Sequence, residues 1–240
     1  MLSGTIEELR AVALAADDAS GHFPAMYARV TERVQRAASS GRFGDDDGMV
    51  RFARAFADRY LHPRAGAAAV PGCWQAAWDV ADDPTLLIVQ HLLLGINAHV
   101  NHDLALVVVQ LADESGDLAG MRQDFGAINT LLAETMPDVL HDLNRVSRWV
   151  NLAAARGGGR FFNFSLATAR AQAWRAAERL HRLDAHARGA DAADLDHLVR
   201  VLGHLVATPG RPVRWLVPLG RRLETRDSRQ VTTSLLGHLA

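Results

Sequence analysis

The segment from Leu86 to Ala112 is the most apolar part of the chain, yet a polar cluster lies at its middle. The cluster reads Asn97-Ala98-His99-Val100-Asn101-His102-Asp103. The longest clean apolar stretch, around 104–112, is far shorter than the ~20 residues that a membrane span needs. Leucine, isoleucine and valine fill positions all round this helix, and a helix that is apolar on every side is usually buried on every side. The sequence therefore predicts a buried central helix over about 86–112 and no membrane span.

The rest of the chain favours helices as well. Runs with the two-residue alternation of strands are scarce, and alanine, leucine, arginine and glutamate dominate; these residues favour helix. No internal repeat and no long linker divides the 240 residues. We therefore predict an all-α fold, a single-domain multi-helix bundle over 1–240 built around the central helix.

Composition excludes several classes of function. The net charge is −1, so no basic field recruits nucleic acid. The chain contains no lysine, which excludes lysine chemistry such as a Schiff base. The glycine-rich motifs that bind nucleotides are absent, and no nucleotide cofactor is expected. The single cysteine, Cys73, and the lack of a signal-peptide pattern lead us to expect a cytoplasmic protein.

His99 and Asp103 are the candidate catalytic residues. They are four residues apart, so they are neighbours on one face of the central helix. A hydrogen bond donated by one ring N–H of His99 to Asp103 would fix the tautomer of His99 and raise the basicity of the other nitrogen. His99 then acts either as a general base or as a metal ligand, with Asp103 as a second ligand. The sequence lacks H-E-x-x-H and Cys-x-x-Cys, so a divalent metal remains an open alternative.

Six further polar residues are candidates for binding a substrate. Asp124 and Asn129 lie on a helix predicted over Leu118–Met136, which would run antiparallel to the central helix and bring Asp124 towards His99 and Asp103. An alternative is that the polar side chains on the central helix bond to the ends of neighbouring helices and brace the fold. The full set is Gln90, Asn97, Asn101, His102, Asp124 and Asn129.

A glycine and an arginine–tryptophan pair leave further alternatives open. Gly95, one turn before His99, removes a side chain and makes room either for a ligand or for a neighbouring helix. Arg170 and Trp174 are four apart on a later predicted helix. Their spacing suits a guanidinium that stacks near the indole or bonds to a carboxylate inside the fold.

The polar cluster also resembles a known family. Asn97-Ala98-His99-Val100-Asn101-His102-Asp103-Leu104 is similar to the N-A-H-[IV]-N-x-D-L signature of an actinobacterial family known only as a domain of unknown function. The resemblance covers roughly residues 20 to 180 and implies an all-helical fold, but no activity. The other matching positions are Phe23-x-x-Met26-Tyr27-x-x-Val30-Thr31, Phe43 with Asp45, Phe56-Ala57-x-x-Tyr60, Trp74, Gln90, the Asp124 to Asn129 spacing, and Asn163-Phe164-Ser165-Leu166-x-x-Ala169-Arg170-x-x-Ala173-Trp174.

Two functions from different classes fit these observations. In the first, the protein is a small-molecule enzyme of lyase, cyclase or hydrolase type, in which His99 and Asp103 act on an apolar or amphiphilic substrate, for example in secondary metabolism. In the second, it is a non-catalytic module that binds a hydrophobic ligand or a partner helix, and the polar cluster is a structural brace. A cavity that touches the imidazole of His99 would favour the first. The oligomeric state is not indicated by the sequence.

Overall fold

The computed structural model describes residues 1–148, 158–211 and 213–237, and the side chains of all of these except 136, 158–165, 213 and 214. Helices dominate the described residues, which contain no strand beyond an isolated bridge between Ser147 and Glu224. The all-α prediction is confirmed. The α-helices are α1 (Ser3–Ala15), α2 (His22–Ser39), α3 (Asp46–Arg64), α4 (Gly72–Trp78), α5 (Ile88–Ala98), α6 (Leu104–Ser115), α7 (Arg122–Val146), α8 (Gly158–His181), α9 (Ala185–Ala207), α10 (Val213–Arg221) and α11 (Ser228–Leu235).

The predicted central helix is two α-helices joined by a π turn. Helix α5 ends at Ala98, residues His99–Asp103 form the π turn, and α6 continues from Leu104. The backbone N–H of Leu104 donates to the carbonyl of His99, five residues earlier, which is the π-helical hydrogen bond. The helix ends before Gly116, whose φ of +71° suits a glycine. The burial of this segment agrees with the prediction, but the turn at the polar cluster is wider than in a regular α-helix.

Other helices surround this central segment on several sides. Helix α5 packs against α2, α4 and α9, whereas α6 packs mainly against α3 and α8. The stretch Ile88–Ser115 is long and apolar enough to cross a membrane, but 72% of its most apolar window is buried inside the fold. Its apolar surface is therefore largely used in helix packing, as expected of a core helix.

Two apolar clusters meet at the π turn. One contains Phe52, Phe125 and Trp174 together with the buried side of α6, and the other contains Phe23 and Trp74 together with the buried side of α5. The half-buried ring of Phe56 packs against both clusters. The polar residues of the turn are therefore enclosed by apolar side chains from four or more helices, where each polar group needs a partner.

Helices α2 and α5 also bring two histidines together, away from the π turn. The rings of His22 and His91 meet edge to face with centroids 6.1 Å apart. Burial lowers the pKa of His22 to about 3 and that of His91 to about 4. Asp18 and Asp83 oppose this lowering, while Arg221 adds to it. Both imidazoles are therefore neutral in the folded protein near neutral pH.

Acid is expected to destabilise the fold through these two rings. Below about pH 6.5 the unfolded chain binds protons at both imidazoles while the folded chain does not, so each pH unit removes up to about 1.4 kcal/mol per histidine. The loss continues until the pH reaches the folded pKa values of about 4 and 3. The free energy of unfolding, measured with urea between about pH 7.5 and 5, should fall with this slope. In His22→Gln the slope should correspond to about one bound proton fewer. An unchanged slope in that variant would contradict the assignment.

Candidate functional site

Asp103 is the centre of the buried polar cluster. It is 1% exposed and accepts hydrogen bonds from three side chains. The indole Nε1 of Trp74 lies 2.8 Å from Oδ2, Nδ1 of His99 lies 3.1 Å from the same oxygen, and Nδ1 of His102 lies 2.8 Å from Oδ1. Burial raises the pKa of Asp103, but the hydrogen bonds from His102 and His99 outweigh it and keep the pKa below its ordinary value. Asp103 is therefore an ionised carboxylate, and its bond to His99 confirms the predicted pair.

The imidazole of His99 has one satisfied nitrogen and one unsatisfied nitrogen. Nδ1 bonds to Asp103, whereas Nε2 is buried and has no hydrogen-bond partner among the described residues. Burial lowers the pKa of His99, and the hydrogen bond and charge of Asp103 offset this only in part. The ring is therefore neutral, with its proton on Nδ1 facing the carboxylate. This tautomer leaves the lone pair on Nε2, as a general base requires.

Four aromatic side chains hold the ring of His99 in place. Phe56 stacks on it with centroids 3.6 Å apart and an interplanar angle of 11°. Tyr27 meets it edge to face at 4.5 Å, with Phe23 and Trp74 at 5.4 and 6.2 Å. These contacts cross between helices, so helical spacing did not reveal them. All four residues nevertheless belong to the motifs that carry the family resemblance, which is the signal that marks them.

A cavity of about 110 Å³ borders the ring of His99. Its walls are apolar side chains from α2, α3, α5, α7 and α8, among them Met26, Val30, Phe52, Ile96, Leu132 and Val139. The hydroxyls of Thr31 and Thr135 also line it, but each donates to a backbone carbonyl of its own helix. His99, Tyr27 and Arg170 are the other lining residues that carry polar groups, and the cavity surface itself is almost entirely apolar.

Gly95 serves helix packing and not the cavity. A Cβ at this position would lie 2.6 Å from ring atoms of Phe23 and 2.8 Å from its Cβ. The missing side chain lets α2 approach α5 and places Phe23 against His99. Of the two alternatives for this glycine, the structure favours room for a neighbouring helix.

Three of the candidate substrate-binding residues bond to the fold itself. Nδ2 of Asn97 donates to the carbonyl of Val199 at 2.8 Å and Oδ1 accepts from Asn101 at 2.9 Å. The side chain of Gln90 accepts from the backbone N–H of Leu87 and donates to carbonyls at the end of α9. These side chains tie α5 to α9, and none of the three lines the cavity beside His99. Their contacts are those of the bracing alternative.

We expected Asp124 to approach His99 and Asp103, but it does not. Its carboxylate accepts from the backbone N–H groups of Gly44 and Asp45, at 2.7 and 2.8 Å, and so holds the chain before α3. Helix α7 begins at Arg122 and packs mainly against α2, α8 and α11 instead of the central helix. Asp124 therefore lies in its first turn, beside a surface groove separate from the cavity.

His102 faces away from the cavity, towards α4 and α9. A ring nitrogen of His102, the thiol of Cys73 and a carboxylate oxygen of Asp196 lie within 4.8 Å of one another. Asp196 also accepts from the backbone N–H groups of Gly72 and Cys73, both at 2.8 Å, and thereby caps α4. Burial raises the pKa of the Cys73 thiol well above its ordinary value, and the hydrogen bond to Asp196 raises it further. Asp196 and Cys73 are thus joined by hydrogen bonds, whereas His102 bonds to Asp103.

Arg170 carries a charge and lines the cavity, but it was not among the residues predicted to bind a substrate. Its guanidinium lies 4.4 Å from the ring centre of Phe125, and Trp174 is instead stacked by Arg122 at 4.8 Å. Nε of Arg170 donates to Oδ1 of Asn129 at 2.7 Å. Asn129 therefore holds the guanidinium and does not itself line the cavity. Neither the expected stacking on Trp174 nor an expected carboxylate bond is present, as no ion pair of Arg170 occurs within the described ranges.

With this geometry established, the chain can be compared with known proteins. Residues 2–209 match the family described as "Family of unknown function (DUF5995)". The chain belongs to the DUF5995 family. No curated protein and no solved structure matches it. The DUF5995 match includes the π turn and every residue named above at the cavity, and it ends before α10 and α11.

Proposed function

We propose that this protein is an enzyme that acts on a small apolar or amphiphilic molecule, with His99 as its general base. The observation that carries the proposal is the state of the imidazole. It is 3% exposed, its Nδ1 is fixed by the carboxylate of Asp103, its Nε2 is buried without a partner among the described residues, and the ring lines an apolar cavity. Asp103 orients the base, and the substrate lies in the cavity.

Nε2 of His99 departs from the rule that buried polar atoms usually have a hydrogen-bond partner. Leaving a buried acceptor unpaired costs about 1–3 kcal/mol, and such groups are few in native proteins. Here the fold retains the unpaired Nε2 and surrounds its ring with aromatic side chains that fix its orientation. A ligand proton presented to Nε2 would remove that cost, which supports a role in proton transfer.

The size of the cavity bounds the reacting part of the substrate. At about 110 Å³ it is somewhat smaller than the engineered cavity of about 150 Å³ that binds benzene. It therefore suits a small ring or a short branched chain. Larger amphiphiles would extend beyond it.

The surroundings of His99 favour a base over a metal ligand. Metal sites of this kind take three or more ligands. Within the described part of the chain, the cavity lining contains no cysteine, aspartate or glutamate and no second histidine. The oxygens of Asp103 already accept from Trp74, His99 and His102, so Asp103 supports His99 instead of sharing an ion with it.

The base can be tested with 1,2-benzisoxazole, a small aromatic probe that opens when a base removes its C3 proton. Nε2 of His99 would take that proton, the C–H electron pair would complete the nitrile, and the N–O bond would break to give 2-cyanophenolate. We expect the protein to accelerate this reaction and His99→Gln to lower the rate by about tenfold or more. The exposed His62 on α3 provides a matched control, since His62→Gln should keep the full rate.

The outcome is read together with two independent measurements. Circular dichroism establishes that each variant is folded, and ¹⁵N NMR of the histidines should show His99 neutral with its proton on Nδ1. A folded His99→Gln variant as fast as the parent protein would refute the role of His99. A parent protein that binds the probe without accelerating its opening would refute catalysis by a general base.

The second candidate function is a non-catalytic module for a hydrophobic ligand. The observation in its favour is that nearly all of the cavity wall is apolar, while Gln90, Asn97 and Asn101 serve as braces. On this alternative, apolar ligands raise the melting temperature but nothing is turned over. For either function we propose the cytoplasm as the compartment, which the single, buried and unpaired Cys73 thiol supports.

A further inference from the structure

We propose that the molecule bound in the cavity carries a carboxylate, and that this carboxylate pairs with the buried guanidinium of Arg170. The inference rests on the proposed function, because it concerns the same cavity. It narrows the substrate class to small apolar carboxylic acids in their ionised form.

The first observation is that neutral groups hold Arg170 rigidly at the cavity. The residue is 3% exposed and lines the cavity from α8. Nε donates to Oδ1 of Asn129 at 2.7 Å and Nη2 donates to the carbonyl of Phe125 at 2.8 Å. Nη1 makes no hydrogen bond with the described residues. A guanidinium that is fixed on one edge and keeps a nitrogen without a partner among the described residues can bind an oxygen acceptor.

The second observation is that no aspartate or glutamate side chain balances the positive charge of Arg170. All aspartate and glutamate side chains lie in the described part of the chain, and none of them is within ion-pair distance of Arg170. By contrast, the partly buried Arg29 and Arg188 pair with Asp142 and Asp113. Burial lowers the pKa of Arg170 to about 10, so it remains a cation near neutral pH.

These observations indicate the chemistry of the ligand. A buried charge without a partner is costly, and a bound anion would relieve that cost. One uncompensated positive charge matches a monoanion, and the planar guanidinium matches a carboxylate. The apolar walls beside Arg170 match an apolar body attached to that carboxylate. Together they define a compact amphiphile with its charge at one end.

Benzoate and benzyl alcohol make a matched pair of probes, since they differ mainly in the charged group. We expect the protein to bind benzoate about tenfold or more tightly than benzyl alcohol, as measured by NMR titration. In Arg170→Gln this preference should disappear while benzyl alcohol binding is kept. Arg175 is exposed on the same helix, and Arg175→Gln should leave both affinities unchanged.

A measurement on the unaltered protein keeps the proposal testable if Arg170→Gln does not fold. The Arg170 Nε–H resonance should shift on addition of benzoate and not on addition of benzyl alcohol. Equal affinities for the two probes, no binding of either, or an unmoved Arg170 resonance would each overturn the proposal. The benzisoxazole rate of the parent protein separately decides the general base, so the two failures can be told apart.

Discussion

Replacing Asp103 with alanine is expected to lower the free energy of unfolding by about 4 kcal/mol or more, the largest effect of any substitution considered for this protein. The side chain is almost completely buried and accepts from three donors on two segments of the chain. Its removal leaves the N–H groups of Trp74, His99 and His102 without an acceptor inside the fold, and it also leaves a cavity. Each unsatisfied donor adds a desolvation penalty of about 1–3 kcal/mol.

Urea unfolding at equilibrium measures this effect. Asp194 on α9 is an exposed aspartate, and Asp194→Ala should change the free energy of unfolding by about 0.5 kcal/mol or less. Asp103→Asn keeps the volume but loses the charge and one acceptor, so an intermediate loss is expected. If Asp103→Ala costs no more than Asp194→Ala, then water or rearranged side chains satisfy the three donors and the cluster is not the fixed network described above.

Gly95→Ala is expected to destabilise the fold by about 3 kcal/mol, at the upper end for an overpacked core. The new methyl group would lie 2.6 Å from Cγ and Cδ2 of Phe23 and 2.8 Å from its Cβ. Because the clash includes atoms next to the backbone, rotation of the ring cannot relieve it, and α2 must move away from α5. That movement would also shift Phe23 from the ring of His99.

Gly126→Ala on α7 is the matched control, because a Cβ there meets nothing within 4 Å. It should stabilise the protein by up to about 1 kcal/mol, since alanine favours helix over glycine. A lower free energy of unfolding in Gly95→Ala together with a higher one in Gly126→Ala would establish that Phe23 fills the space at Gly95. A stabilised or neutral Gly95→Ala would mean that the two helices are less closely packed than described. A changed ¹⁵N shift of His99 in Gly95→Ala would additionally link the packing of Phe23 to the candidate base.

The sequence was sufficient for the parts of this site that depend on short-range spacing. His99 and Asp103 are four residues apart on an apolar helix, so both their contact and their burial were predictable. The contacts of Trp74 and His102 with Asp103 were not predictable. Trp74 reaches Asp103 from another helix, and His102 bonds to its immediate neighbour. Contacts between helices depend on crossing angles and on the turn at 99–103, which a uniform rotation per residue cannot represent.

The wrong prediction for Asp124 follows from the wrong predicted start of its helix. The helix that carries it was predicted to begin at Leu118 and to end before Pro137, but it begins at Arg122 and continues through that proline to Val146. A later start places Asp124 in the first turn, where its carboxylate bonds to the backbone before α3. Arg170 illustrates a contact that local spacing does not predict. Its spacing from Trp174 invited a local contact, whereas its actual partners, Asn129 and Phe125, lie on α7.

The π turn has a consequence for how this helix can change through evolution. A π turn is equivalent to one extra residue within a regular α-helix, and one residue corresponds to a rotation of about 100°. Deleting a single residue between His99 and Asp103 would therefore turn this segment into a regular α-helix and leave α6 in its place relative to α5. The same deletion would bring His99 and Asp103 three residues apart instead of four, and so change the geometry of their hydrogen bond. The length of the turn therefore determines the geometry of the polar cluster more than the packing of α6.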